Sequence, residues 1–443
     1  MTTHASPNPL SIEAAWERPV IAQGHDVALR LSITAHRQPA RTTSRPPIDI
    51  SFVIDRSGSM SGGKLELAKE AVNLAVKRLN GDDRMAVVVF DDTVQGILPL
   101  MPATEPVRIM LEARLNNVHR GGSTNLSGGW LTGCQHLATA NPPAPAGRLR
   151  RVILLTDGHA NAGITDRAEL AHHAGMLRGN GISTTTMGLG HGFDENLLES
   201  MAEAGGGNFK YISSAEQLHA FFDREIGGMT TIAALMPRIE VRLPREVTGE
   251  LLNQFPSRMV GRQLQVDLRD IACGDSVDLV IVLHQHFAVD MGPADILARY
   301  RYTIPETGAR VQHDIPLPRL MHGNQEDASQ AQISPPVHIA RAMEESLRDQ
   351  RTALAMDREG RYEESRRAFG QSHERLAQAD AVAATTGYAG VSAAMMERMR
   401  DESARTMVLA AAPARALDEH THKERAAYRS NASRGTQRID QTA

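Results

Sequence analysis

Three short oxygen-bearing side chains alternate in Asp55-Arg56-Ser57-Gly58-Ser59. At that spacing they can converge on one point. Two further oxygen-rich turns follow, Gly121-Gly122-Ser123-Thr124-Asn125 and Thr156-Asp157-Gly158. Together the turns offer hydroxyls and carboxylates, with no imidazole or thiolate. That donor set suits a hard cation, magnesium before manganese or calcium, rather than zinc. Taken singly, a serine is usually a cap or turn residue, and an aspartate after a strand is often an N-cap. The case for a metal centre therefore rests on five groups together: Asp55, Ser57, Ser59, Thr124 and Asp157.

The elements that must position these groups are legible in the hydropathy. Between Pro46 and Gly228, short β-branched apolar runs (Ile48 to Ile54, Met85 to Phe90, Val152 to Leu155, Ile182 to Met187) alternate with helical patterns. The helical patterns are Leu65 to Leu79, Leu126 to Ala138, Arg167 to Arg178 and Glu195 to Ala204. This alternation predicts a doubly wound α/β domain with a mostly parallel sheet. It places Asp55 at the carboxyl end of the first strand, where such sheets bind ligands.

The flanks alternate with period two instead: Asp26 to Ile33, Arg238 to Leu243 and Leu264 to Leu268, joined by Val277 to Leu283 and Ala298 to Ile304. Strand material on both sides of the α/β domain predicts its insertion into a β-sandwich, with two unrelated small sheets as the alternative. Ile339 to Ala355, Tyr362 to Ala379 and a Met-bearing stretch around Val391 to Met407 predict a C-terminal helical region. The expected division is 15–45 and 229–330 for the sandwich, 46–228 for the α/β domain, 331–429 for the helices and 430–443 for a disordered tail.

Asp55-x-Ser57-x-Ser59, Thr124 and Asp157, in that order at element ends, resemble the metal-ion-dependent adhesion site of von Willebrand factor type A domains. The agreement extends through Asp83-Arg84, Gly122-Ser123-Thr124-Asn125-Leu126, Thr156-Asp157-Gly158 and Gly205-Gly206-Gly207-Asn208. The chain is most similar to the bacterial branch related to calcium-activated-channel-like and inter-alpha-inhibitor-like proteins, in which a sandwich also flanks the domain. The resemblance implies that Ser57, Ser59 and Thr124 ligate the ion directly, with Asp55 and Asp157 acting through water. It further implies that an Asp or Glu of a partner protein completes the coordination. In bacterial cytoplasm such domains often serve as adaptors, sometimes beside AAA-type ATPases.

Several other signals compete. Gly58 to Lys64 satisfies G-x-x-x-x-G-K between a strand and a helix, a phosphate-cradling pattern. Leu65 stands where that pattern needs Ser or Thr, so Lys64 is expected to be solvated. Gly188-Leu189-Gly190-His191-Gly192 has the wrong spacing for a dinucleotide fingerprint. His172-His173, His284/His286 and His420/His422 are expected to be solvated or core histidines, and Met395, Met396 and Met399 to be packing residues. His159 is expected on an exposed loop near the rim. Arg56 either steers an acidic partner or forms a surface salt bridge.

Composition narrows the class. Lys+Arg total 48 against Asp+Glu 52, a formal charge of −4, which excludes a basic nucleic-acid coat. Cys134 and Cys273 are too few for a disulfide framework, lack metal spacing and are expected to be buried thiols. Pro7, Pro9, Glu13 and Glu17 interrupt any signal-peptide core, and no run approaches the about 20 apolar residues of a membrane span. The expectation is a cytoplasmic, non-enzymatic, metal-dependent protein-binding module. The alternatives are a metal-dependent nucleotide or phosphate-ester hydrolase, or a regulatory subunit of an AAA-type ATPase.

Overall fold

The computed structural model describes residues 8–36, 46–139, 148–157, 160–190, 193–212, 214, 217–218, 221–222, 232–287, 289–305, 307–385, 393–413, 417, 421–423, 425 and 437–438. The strands Ile48–Asp55 and Ile182–Leu189 are buried at every position, as continuous apolar runs covered on both faces must be. The sheet order is Val94–Pro102, Arg84–Phe90, Ile48–Asp55, Leu149–Thr156, Ile182–Leu189, Gly206–Ile212. The first of these pairs antiparallel and the rest parallel. Strand order therefore reverses at Ile48–Asp55, the switch point where open α/β sheets leave a crevice.

Successive side chains of one strand point to opposite faces, and the two cores follow from that. Ile50, Phe52 and Ile54 pack with Leu65, Val72, Leu111 and Leu115 of the helices Lys64–Val76 and Glu105–Asn116. Val53, Val152 and Leu154 pack on the other face with Trp130, Leu170 and Leu198 of Leu126–Ala138, Arg167–Gly179 and Glu195–Ala204. The strand Val94–Pro102 and the helix Glu105–Asn116 were not among the expected elements.

Two further sheets share one core. Leu10–Trp16, Val27–Ala35, Asp275–Gln285 and Val247–Leu251 form one; Ser257–Val260, Gln263–Asp267, Ile232–Arg242, Leu297–Thr303 and Arg310–Ile315 form the other. Leu29 and Leu31 of the first pack with Ile239 and Val241 of the second, so the sheets are a sandwich and not two unrelated units. The chain leaves it after Ala35 and re-enters at Ile232, with the α/β sheet in between. Strand material begins earlier than the expected residue 15. Leu10–Trp16 pairs along its length with Val27–Ala35, from Leu10 opposite Ala35 to Trp16 opposite Leu29, and its apolar Leu10, Ile12, Ala14 and Trp16 share one face.

The helices Pro335–Arg358 and Tyr362–Thr385 form an antiparallel hairpin whose turn uses Gly360 at φ +78. Val337, Ile339, Met343, Leu376, Met395 and Met399 pack against Ala28, Val280 and Val282 on the outer face of a sandwich sheet. The methionines are packing residues, as expected. At one end, Glu17 joins His338 at 2.7 Å and Arg341 at 2.8 Å. At the other, Arg358 reaches Glu195 and Asn196 of the α/β domain, and Lys423 lies 4.5 Å over the Phe193 ring. Gln437–Arg438 pairs with Asp275–Ser276, a correction to the expected disordered tail; the rest of 430–443 lies outside the described residues.

Candidate metal centre

Asp55 ends its strand with no solvent exposure, and the scaffold holds both carboxylate oxygens. Oδ1 accepts from the Ser57 amide at 2.7 Å, and Oδ2 accepts from the Thr156 hydroxyl at 2.6 Å. The first bond folds the chain into a short turn, which the single helical turn Gly58–Met60 continues. Ser57 Oγ lies 3.0 Å from Ser59 Oγ, and Ser59 Oγ donates to Asp157 Oδ1 at 2.9 Å. Asp157 Oδ2 accepts from Lys64 Nζ at 2.5 Å. Asp55, Ser57 and Asp157 are buried while Ser59 is exposed, so the cluster opens to solvent at Ser59.

Thr124 reaches the same end of the sheet through its main chain. Gly58 N donates to Gly122 O at 2.9 Å and Gly121 N to Arg56 O at 2.8 Å, which stitches the two loops together. Side chains crowd the second loop: a Cβ on Gly121 would fall 1.7 Å from Asp91 Oδ2, and one on Gly122 would fall 2.5 Å from Asp92 Oδ1. Thr124 N donates to Asn161 Oδ1 at 2.7 Å. One residue on, Asn125 caps the helix Leu126–Ala138 by accepting from Gly128 N at 3.0 Å.

Burial pushes the Asp55 carboxyl above its ordinary range. The hydrogen bonds from Thr156 and Ser57 oppose that push, and the Asp157 charge adds to it. Two buried carboxylates that sense each other are a reason for a cation to sit here. The five groups supply oxygen donors only, which fits magnesium and not zinc. Among the described residues no group of three His, Cys, Asp or Glu side chains could hold a metal. A centre of three hydroxyls and two carboxylates has no such group to show.

The remaining candidates fall into place. Lys64 is not solvated as expected but ion-paired with Asp157, because the helix Lys64–Val76 begins beside that carboxylate. Leu65 is buried in the core, so no hydroxyl follows the lysine. Arg56 turns to Asp91 at 3.4 Å and Thr93 at 3.1 Å, the salt-bridge reading of that residue. His422 is a core histidine bonded to Asp357 at 3.0 Å, and His284 faces Asp26 at 2.7 Å. Cys134 is buried, but Cys273 is only half-buried, and neither is in a disulfide. Gly158, His159 and His420 lie outside the described residues. Sequence reasoning missed Asn161 and Asp91. Asp91 could have been found from its place directly after the strand Arg84–Phe90; Asn161 carries no local signal.

Residues 49–224 match the family model described as von Willebrand factor type A domain. That stretch of the chain is thus similar to the domain, and it coincides with the six-stranded α/β sheet and its helices. The chain is 27% identical over 251 residues to the Uncharacterized protein YfbK of Escherichia coli (strain K12), a stretch covering 54% of this chain and 42% of that protein. It is 29% identical over 212 residues to the inter-alpha-trypsin inhibitor heavy chain H1 of Bos taurus, covering 46% of this chain and 22% of that one. This chain thus spans less than half the length of either relative. Among solved structures, a von Willebrand factor type A protein from Catenulispora acidiphila superposes with a TM-score of 0.67 at 17% identity, covering 99% of each chain. The ArnB paralog VWA2 from Sulfolobus acidocaldarius gives 0.60 at 14% identity, covering 90% of this chain and 98% of the other. Both likenesses concern the fold.

Proposed function

We propose that the chain is a metal-dependent protein-binding module. In this reading Ser57, Ser59 and Thr124 hold a magnesium ion, with Asp55 and Asp157 supporting it through water. The observation that carries it is the hydrogen-bonded run Ser57, Ser59, Asp157 above the buried Asp55, with one exposed member at its mouth. The ion would supply an electrophilic position for an Asp or Glu of a partner protein, since magnesium keeps few protein ligands and some exchangeable ones. No observation in the fold favours an AAA-type ATPase as that partner, and the proposal does not include one.

The non-enzymatic reading is supported by the loop after Asp55. A phosphate-cradling loop needs a hydroxyl after its lysine, and Leu65 stands there, buried in the core. A cytoplasmic location fits a chain whose two cysteines are too few for a disulfide framework. Among the described residues no helix is long and apolar enough to cross a membrane. The domain division at 46–228 and 331–429 is part of the proposal. The test is capture by the immobilised chain of peptides from an Asp- and Glu-terminated library, with magnesium and with chelator. Magnesium-dependent retention that Ser57→Ala abolishes at unchanged melting supports the module; retention indifferent to metal removes it.

A further inference from the structure

Two sequence features remain unused by the metal centre as described: the lysine closing Gly58 to Lys64, and the glycines of Gly188-Leu189-Gly190. In the fold they meet. Lys64 Nζ lies 2.5 Å from Asp157 Oδ2 and 3.4 Å from the Ser59 carbonyl. Gly190, at φ +65, lies along the lysine stem, where a Cβ would come within 3.0 Å of Lys64 Cε and 3.4 Å of Cδ. Gly63, in the left-handed region at φ +87, starts the helix so that Lys64 is its first residue. A Cβ on Gly188 would enter the Phe193 ring at 2.4 Å, so the strand end can close down on both sides. The lysine is thus placed by its surroundings and does not lie loosely on a surface.

We propose that Lys64 is a built-in cation that competes with the metal at Asp157 and thereby sets how tightly the centre holds its ion. The proposal rests on the metal-centre reading above. The Asp157 side chain has no solvent exposure, whereas that of Lys64 is 26% exposed. A buried carboxylate without a counter-charge is costly, and Asp55 is a second one close by. With no divalent ion bound, the ammonium supplies the compensating charge and keeps the loops together. When an ion enters, it must share Asp157 with the ammonium or displace it. Like charges a few ångströms apart oppose one another strongly at the effective dielectric of a near-surface site, less so in salt. The lysine therefore lowers metal affinity and stabilises the metal-free form, leaving a centre that responds to changes in ion concentration instead of staying filled.

The full chain and three variants, Lys64→Met, Lys64→Arg and Ser57→Ala, are titrated with magnesium by calorimetry and melted in chelator and in excess magnesium. Methionine keeps the stem that packs on Gly190 and removes the charge. Lys64→Met is expected to bind magnesium about tenfold tighter than wild type, and Lys64→Arg to stay closer to wild type. In chelator Lys64→Met melts below wild type, and in excess magnesium the gap closes. Equal or weaker magnesium binding by Lys64→Met, or an unchanged melt in chelator, overturns the proposal. If folded wild type and Lys64→Met both fail to take up magnesium while Ser57→Ala behaves identically, the metal-centre reading falls and the proposal with it.

Discussion

The Thr156 hydroxyl donates to Asp55 Oδ2 at 2.6 Å across two neighbouring parallel strands. This bond ties the loop carrying Ser57 and Ser59 to the strand that delivers Asp157. Both partners have no solvent exposure, so neither can exchange the bond for water. Thr156→Val keeps the shape and leaves a buried carboxylate oxygen without its donor. The expected cost is about 1 to 3 kcal/mol of folding stability in chelator, read by denaturant unfolding. Magnesium binding should weaken as well, because the base of the loop is no longer held.

Asn161 holds the third loop from a distance in sequence, accepting from the Thr124 amide at 2.7 Å. Asn161→Ala removes that acceptor near the mouth of the site. The stability loss should be about 1 kcal/mol, while magnesium affinity falls by roughly tenfold as Thr124 loses its position. Calorimetric titration and unfolding on the same sample separate the two. A loss of stability with affinity intact would remove Thr124 from the ligand set.

Glycines at the site and elsewhere should respond with opposite signs. A Cβ on Gly121 would fall 1.7 Å from Asp91 Oδ2, whereas one on Gly370, inside the helix Tyr362–Thr385, meets nothing within 4 Å. Gly121→Ala must displace the Asp91 side chain, which Arg56 and Thr93 hold, and is expected to cost about 1 to 3 kcal/mol. Gly370→Ala should stabilise by about 0.5 to 1 kcal/mol, since it restricts the unfolded chain without strain. Thermal melts of the two variants check the pair.

What was legible in the sequence was what is local. Leu126–Ala138 begins after a capping Asn125 and was expected with the bounds observed. The cluster of Asp55, Ser57, Ser59 and Asp157 was legible because the first three lie within one turn and Asp157 directly follows a strand. The helix Glu105–Asn116 was missed although Val107, Leu111 and Leu115 repeat at helical spacing, a signal open to a closer reading of the periodicity. The strand Val94–Pro102 was not: it is an edge strand with one face largely in solvent, and Gly96 and Pro99 interrupt any alternation. Asn161 and the Lys64 pairing with Asp157 were hidden because both depend on loops brought together by the sheet. The packing of the helical hairpin against Val280 and Val282 was hidden in the same way: a strand covered on both faces shows that it is buried, and not by what.

That packing has a pH signature through Glu17. Burial alone would raise its carboxyl, but the hydrogen bonds from His338 and Arg341 and the Arg341 charge outweigh burial and hold it below its ordinary 4.5. The unfolded chain therefore binds a proton at Glu17 more readily than the folded one. The associated stability is fully present above 4.5 and is lost as pH falls through the lower folded value. Glu17→Gln should cost about 1 to 3 kcal/mol near neutral pH, discounted because Arg341 is partly exposed. As pH falls below 4.5 the wild-type advantage should shrink, while other carboxylates shift both proteins alike and cancel in the difference. Denaturant unfolding of the two proteins across that window gives the difference directly. A difference that stays constant through the acid range would show that Glu17 does not tie the helices to the sandwich electrostatically.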